Sequence, residues 1–103
     1  MMYGMEDNEL QLLRSTFENT TNLRQVILFG SRAKGTNRPF SDVDITLVGD
    51  QLTDDDVADV ACRLSESSLP YFCDVSLFSK LQNPALIDHI KRRGKTIYSS
   101  YDK

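Results

Sequence analysis

Apolar residues recur at helical spacing in three segments of the chain. The first apolar face consists of Leu10, Leu13 and Phe17. The sequence NTTN that follows is a turn signal and ends this helix. A second helix is predicted to begin at Thr53, and its apolar face consists of Val57, Val60, Ala61 and Leu64. In NPALIDHIKRRG, Asn83 is the predicted N-cap of a third helix and Gly94 its C-terminal stop.

Shorter apolar segments predict the strands. QVILFG is an apolar run that ends at Gly30, after which residues 31–34 are predicted to form a short helix that Gly35 ends. The segments SDVDITLV and YFCDVSLF are predicted to be further strands, and a short strand is expected near the C-terminus. The predicted order is therefore helix, strand, short helix, strand, helix, strand, helix and strand.

Composition limits the size and class of the protein. A chain of 103 residues, 40% of them hydrophobic and 26% charged, can bury one core, so we expect a single domain over residues 1–103. No apolar run approaches the roughly 18 residues of a membrane span, and the N-terminus lacks a secretory signal, which predicts a cytoplasmic protein with no membrane partner. A net charge of −3 argues against a long nucleic acid as ligand, because such binding needs a broad basic surface.

Several polar and reactive residues have both a structural and a functional interpretation. The acidic residues 54–56 fit the start of a helix better than a metal site, because the helix dipole favours them there. The basic residues 91–93 either complement the end of a helix or contact an acidic partner. His89 is expected at the surface or boundary rather than in catalysis. Cys62 and Cys73 are expected to be reduced, small apolar residues of the interior rather than zinc ligands or a disulfide.

The segment GSRAKG, residues 30–35, is suited to hold phosphate. Gly30 permits a sharp exit from the strand and close approach of a ligand, and free N–H groups with the Ser31 hydroxyl favour phosphate oxygens. A GS turn alone is a weak signal, because many turns contain these residues for conformational reasons. Arg32 and Lys34 either stabilise phosphate charge or are solvated.

Carboxylates follow this turn on the exposed face of a predicted strand. In SDVDITLV, a strand period of two buries Val43, Ile45 and Leu47 and exposes the alternate residues Asp42, Asp44 and Thr46. FCDVSLF repeats the pattern and leaves Asp74 opposite its apolar face. If these strands are neighbours, three carboxylates meet beside the turn, and hard oxygen donors at that spacing suit Mg²⁺. The alternative is three solvent-facing aspartates, a residue type depleted in strands.

GSRAKG followed by SDVDI resembles the signature of the DNA polymerase β nucleotidyltransferase superfamily, and the small size is similar to its minimal, MNT-type members. The family pattern is a GS turn, an Asp-x-Asp pair and a third aspartate on a later strand. This pattern is met by Gly30 and Ser31, by Asp42 and Asp44, and by Asp74. The resemblance implies an α/β (α+β) fold in which a mixed β-sheet has helices on one face and an open catalytic face.

The resemblance also implies a reaction that uses ATP and two Mg²⁺ ions. Asp42 and Asp44 would bridge both ions, and Asp74 would complete the site of the ion that activates the nucleophile. The three aspartates are therefore the implied catalytic and metal-binding residues. The implied nucleotide-binding residues are Gly30, Ser31, Arg32 and Lys34.

Small MNT proteins are typically antitoxins paired with a HEPN-domain ribonuclease toxin, and some transfer AMP to a tyrosine of that toxin. We therefore expect a Mg²⁺-dependent protein adenylyltransferase that forms a hetero-oligomer with a HEPN partner. One alternative is an antitoxin that blocks the toxin by binding, without catalysis. Another is a small-molecule nucleotidyltransferase similar to antibiotic-modifying enzymes, which is disfavoured because no acceptor-binding domain is visible.

Overall fold

A computed structural model describes residues 2–100 of the chain. Its helices are α1 (Asp7–Glu18), α2 (Ser31–Lys34), α3 (Asp54–Glu66) and α4 (Pro84–Arg93), with one 3-10 turn at Phe78–Lys80. Its strands are β1 (Gln25–Phe29), β2 (Val43–Val48), β3 (Cys73–Leu77) and β4 (Lys95–Ser99). The order of elements predicted from the sequence is confirmed, as is the α/β fold class.

The four strands form one mixed sheet in the order β3-β2-β1-β4. β1 is antiparallel to both β2 and β4, whereas β2 and β3 are parallel. The C-terminal end of β1 therefore lies beside the N-terminal ends of β2 and β3. The sheet brings the segment after β1 to the same edge as the first residues of the next two strands.

The main core lies between one face of the sheet and helices α1 and α3. The sheet residues that are fully buried in it are Val26, Leu28, Val43, Ile45 and Leu47. The helices contribute Leu10, Leu13, Phe17, Val60 and Leu64. The rings of Phe17 and Tyr98 lie 5.8 Å apart in a tilted arrangement and join α1 to β4. The strand alternation predicted for β2 is confirmed on its apolar side.

The helix ends are capped as the sequence indicates. Thr53 and Asp56 form a reciprocal capping box at the start of α3, where Asp56 N donates to Thr53 Oγ1 at 3.3 Å. Asn83 Oδ1 accepts from Ala85 N at 3.0 Å at the start of α4. Asp54 forms a solvent-exposed ion pair with Lys80 at 2.7 Å.

Within residues 2–100, none of the helices is long and apolar enough to cross a membrane.

The second face of the sheet is partly covered by α4. Ile27 alternates along β1 with the core residues Val26 and Leu28, so it points away from the main core. A Cβ atom on Gly94 would lie 2.5 Å from Cγ2 of Ile27, which shows how closely the end of α4 approaches this face. The open face expected from the sequence is therefore restricted to the β2–β3 side.

Two side chains differ from their predicted exposure. Thr46 is fully buried rather than exposed, because its strand is central and its Oγ1 donates to the carbonyl of Ser76 at 3.4 Å. Cys62 is exposed rather than interior, and its Sγ donates to Glu66 Oε1 at 2.9 Å on the outer side of α3. Cys73 is half-buried, and neither cysteine forms a disulfide.

Candidate active site

The GS turn joins β1 to α2 in a conformation that only glycine adopts easily. Gly30 has φ 77° and ψ −154°, and its carbonyl accepts from Lys34 N at 3.2 Å. A Cβ atom at Gly30 would lie 2.5 Å from Oδ2 of Asp44. The turn therefore lies directly against the first carboxylate of β2, and the missing side chain is what allows this approach.

Asp44 and Asp74 are opposite each other in the β2–β3 pair. Asp42 lies just before β2 and is exposed, as is Asp74, whereas Asp44 is half-buried. Burial raises the pKa of the Asp44 carboxyl, and the charges of Asp74 and Asp42 raise it further. The Arg32 guanidinium acts in the opposite direction on the same pKa. The charges of Asp42 and Asp74 thus both act on the carboxyl that lies against the GS turn.

These carboxylates supply the hard oxygen donors that Mg²⁺ prefers. In the part of the chain that the structure describes, no three His, Cys, Asp or Glu side chains converge as a ready set of metal ligands. The donor chemistry fits the ion, and the charges of Asp42 and Asp74 both raise the pKa of the Asp44 carboxyl.

Arg32 is buried, and its guanidinium is used within the fold. Nε and Nη2 donate to the carbonyl of Ser41 at 3.2 and 2.7 Å, and Nη1 donates to the carbonyl of Tyr3 at 2.8 Å. The guanidinium carbon also lies 4.2 Å from the centroid of the Tyr71 ring. This side chain links the N-terminal turn, the loop before β2 and the segment before β3, and its partner Ser41 is the residue before Asp42.

The other residues of the short helix are more accessible. Ser31 is half-buried, and its carbonyl accepts from Thr36 N at 2.9 Å. Lys34 is exposed in the last turn of α2, which ends at Gly35 with φ 79°. The structure therefore places Lys34 and Arg32 in different environments, although no local pattern distinguishes them.

His89 lies beside the GS turn, which sequence reasoning did not anticipate. The N–H of Gly30 donates to Nε2 of His89 at 3.3 Å, across 59 residues of sequence. His89 is half-buried on α4. The hydrophobic pattern predicts α4 itself, but no local pattern indicates that this helix returns to the end of β1.

Exposed aromatic residues flank the carboxylates. Phe40 and Phe72 are 79% and 69% exposed, in the loop before β2 and just before β3. The carbonyl of Phe72 accepts from Val43 N at 2.8 Å, which places Phe72 next to the start of β2. Beside it, burial raises the pKa of the Cys73 thiol to about 11. An apolar surface therefore adjoins the carboxylate cluster.

Comparison with known proteins agrees with the nucleotidyltransferase resemblance seen in the sequence. A family model described as Polymerase beta, Nucleotidyltransferase matches residues 11–103. A search among curated proteins found no match. A chain of a toxin–antitoxin crystal structure with AMP-PNP is 25% identical, with a TM-score of 0.70 over 95% of this chain and 77% of that one.

Two further solved structures share the fold at lower identity. One is the tri-AMPylated Shewanella oneidensis HEPN toxin in complex with MNT antitoxin, at 18% identity and TM-score 0.69 over 95% of this chain and 76% of that one. The other is the toxin–antitoxin MntA-HepT, at 18% identity and TM-score 0.67 over 94% and 75%.

Proposed function

We propose that this chain, which belongs to the polymerase β nucleotidyltransferase family as an MNT-type minimal member, is an antitoxin. As an antitoxin it adenylylates its toxin. In this proposal it transfers AMP from ATP to a tyrosine of a HEPN ribonuclease in the cytoplasm. The structural relatives support it, because one is a toxin–antitoxin structure with AMP-PNP and another contains an AMPylated HEPN toxin with an MNT antitoxin.

The observation that carries the proposal is the close approach of the GS turn to Asp44. Gly30 leaves no room for a side chain beside Asp44, and Asp44 is opposite Asp74 on the next strand. Transfer of a nucleotidyl group needs charge-stabilising groups beside the bound triphosphate, because negative charge on the phosphate oxygens must be stabilised while the attacking oxygen displaces the leaving oxygen in line. Gly30, Asp44 and Asp74 lie at one edge of this sheet.

Each residue has a role in this scheme. Gly30 allows the triphosphate to approach closely. The backbone N–H groups at the start of α2 and the hydroxyl of Ser31 hold the terminal phosphates, and Lys34 adds positive charge from the exposed side of α2. Asp42, Asp44 and Asp74 would hold two Mg²⁺ ions, which supply charge stabilisation for the attacking and leaving oxygens when bound. Arg32 acts indirectly through its bonds to the carbonyls of Ser41 and Tyr3, which position the loop that carries Asp42.

A second candidate is an antitoxin that works by binding alone. The exposed aromatic side chains of Phe40 and Phe72 favour it, because large exposed apolar groups are typical of protein interfaces. Both mechanisms place the toxin against the same edge of the sheet. They differ in whether the carboxylates are needed.

The proposal is tested by incubating the purified protein with ATP, Mg²⁺ and its cognate HEPN ribonuclease. Intact-mass spectrometry of the HEPN protein should show a gain of about 329 Da for each AMP transferred. Peptide mapping should place the added mass on a tyrosine. A HEPN protein that keeps its original mass while its ribonuclease activity is blocked would support binding alone and contradict transfer.

A further inference from the structure

His89 makes a contact that the proposed catalytic scheme does not use. Its Nε2 accepts the N–H of Gly30 at 3.3 Å. Because Nε2 is the acceptor, a neutral ring carries its proton on Nδ1. The bond joins α4 to the residue that separates β1 from Ser31, at the turn that faces Asp44.

Gly30 needs such a partner because its backbone is neither in the sheet nor in a helix. β1 pairing ends at Phe29, and the φ of 77° with ψ of −154° belongs to a region that is sparsely populated. The carbonyl of Gly30 accepts from Lys34 N, and its amide donates to His89. The turn is therefore fixed on both sides of the glycine by hydrogen bonds.

The helix that carries His89 is itself firmly held. Ile90, the next residue, is 2% exposed, and Gly94 closes the helix against Ile27 of β1. The N–H of Gly94 donates to the carbonyl of Ile90 at 2.9 Å. The imidazole thus approaches Gly30 from α4, which packs on β1, the strand that leads into the GS turn.

We propose that His89 is a positioning residue for the nucleotide, acting through Gly30. Its Nε2 holds the Gly30 amide so that the turn and the Ser31 hydroxyl have their binding geometry before ATP arrives. This inference rests on the proposed nucleotidyltransferase site. Preorganisation of this kind improves affinity because less conformational freedom is lost when the ligand binds.

The effect should appear in nucleotide affinity and not in the chemical step. A neutral hydrogen bond contributes about 0.5–1.5 kcal/mol, which corresponds to roughly a two- to tenfold change in Kd. His89→Ala and His89→Leu remove the acceptor, whereas His89→Gln keeps an acceptor oxygen at similar reach. The first two variants should raise the Kd for a non-hydrolysable ATP analogue and the KM for ATP by that factor, with kcat unchanged.

The experiment combines three measurements. These are calorimetric titration of the full chain with the analogue, steady-state transfer to the HEPN protein, and thermal melts. His89→Gln should restore most of the affinity, and the ¹⁵N spectrum of wild type should show an unprotonated Nε2. An unchanged Kd in His89→Ala, a Gln variant as weak as Ala, a loss confined to kcat, or a proton on Nε2 would each overturn the inference.

The same titration separates this inference from the proposed function. Wild type that binds the analogue normally, with His89→Ala equal to it, overturns the role of His89 and leaves the nucleotidyltransferase site standing. Wild type that binds no analogue in the presence of Mg²⁺ overturns both. The melts show whether a weaker variant is still folded at the temperature of the titration.

Discussion

Gly30 and Asp44 lie so close that no side chain fits between them. A Cβ atom built on Gly30 would be 2.5 Å from Oδ2 and 3.3 Å from Cγ of Asp44. Gly30 directly follows β1 and Asp44 is the second residue of β2, and the antiparallel register places Phe29 opposite Asp44. The GS turn and Asp44 therefore form one structural unit, in which a side chain added at Gly30 must displace the Asp44 carboxylate.

The first prediction concerns this unit. Gly30→Ala should destabilise the fold by about 2 kcal/mol or more, because alanine meets both an unfavourable positive φ and the Asp44 carboxylate. It should also abolish AMP transfer, since the turn and Asp44 cannot both keep their positions. Urea unfolding and the transfer assay measure the two effects.

Gly35 supplies the matched control. It also has a positive φ, of 79°, but a Cβ atom there meets nothing within 4 Å. Gly35→Ala should therefore cost only the backbone term, about 1 kcal/mol, and should keep transfer activity. If the two alanine variants lose equal stability and equal activity, the contact with Asp44 has no importance.

A second prediction follows from the electrostatics of Asp44. Burial and the nearby Asp74 and Asp42 raise the pKa of its carboxyl above its ordinary value of 3.8. A carboxyl whose pKa is higher in the folded than in the unfolded state costs stability when ionised. This cost is complete above the folded pKa and disappears below 3.8, so Asp44→Asn should melt at a higher temperature than wild type at neutral pH.

Thermal melts in chelator across a pH series measure the difference in melting temperature between Asp44→Asn and wild type. The advantage of Asp44→Asn should shrink as the pH falls toward 3.8, where the wild-type carboxyl is also protonated. Asp50→Asn is the control, because Asp50 is exposed in the loop after β2. An Asp44→Asn variant less stable than wild type at pH 7 would contradict the predicted sign.

The sequence predicted local features of the site better than its long-range contacts. Alternation along β2 and β3 is a local property, and it correctly placed Val43 and Ile45 in the core. It could not show that β2 and β3 are parallel neighbours in a register that puts Asp44 opposite Asp74. Pairing depends on how the whole chain packs, and one sequence carries no direct record of it.

Two residues show the same limit at the level of single side chains. Arg32 is a charged residue on a short helix, which favours exposure, yet tertiary contacts with Ser41, Tyr3 and Tyr71 bury it. His89 faces Gly30 because α4 folds back on β1, although nothing in its neighbours indicates this. Both depend on segments far apart in the chain, which local periodicity cannot relate.

The third prediction tests the buried guanidinium. Arg32→Lys should destabilise the protein by about 2 kcal/mol or more, because one ammonium cannot replace the fork that reaches both the Ser41 and Tyr3 carbonyls and stacks on Tyr71. Denaturant unfolding measures this. Lys34→Met, on the exposed side of the same helix, should change stability by less than about 0.5 kcal/mol. Equal losses in the two variants would contradict the role of Arg32.

The fourth prediction concerns the exposed carboxylates. Asp42→Asn and Asp74→Asn should each reduce AMP transfer by at least about a hundredfold, because an amide cannot supply the negative charge that Mg²⁺ requires. Both side chains are exposed and both charges repel Asp44, so the melting temperatures should not fall below that of wild type. Transfer should also stop in chelator and return with added Mg²⁺. Full activity in both variants would remove these residues from the site.

The last prediction separates catalysis from binding by stoichiometry. An enzyme turns over and leaves a lasting modification, so a small amount of this protein with ATP and Mg²⁺ should inactivate a molar excess of the HEPN ribonuclease. A protein that only blocks its partner needs near-equal amounts and releases active toxin when it dissociates. Ribonuclease activity and the intact mass of the toxin, followed together across a dilution series of this protein, distinguish the two.

The double variant Asp42→Asn, Asp44→Asn is the decisive control for this measurement. It keeps the exposed Phe40 and Phe72 surface, and it should fold, because removing the Asp44 charge relieves repulsion from Asp74. Under the catalytic mechanism it protects only when present in amounts near those of the toxin, and the toxin mass does not change. If wild type and the double variant both protect only at near-equal amounts, with no mass shift in either sample, catalysis is excluded and the apolar surface of Phe40 and Phe72 becomes the part of the molecule that neutralises the toxin.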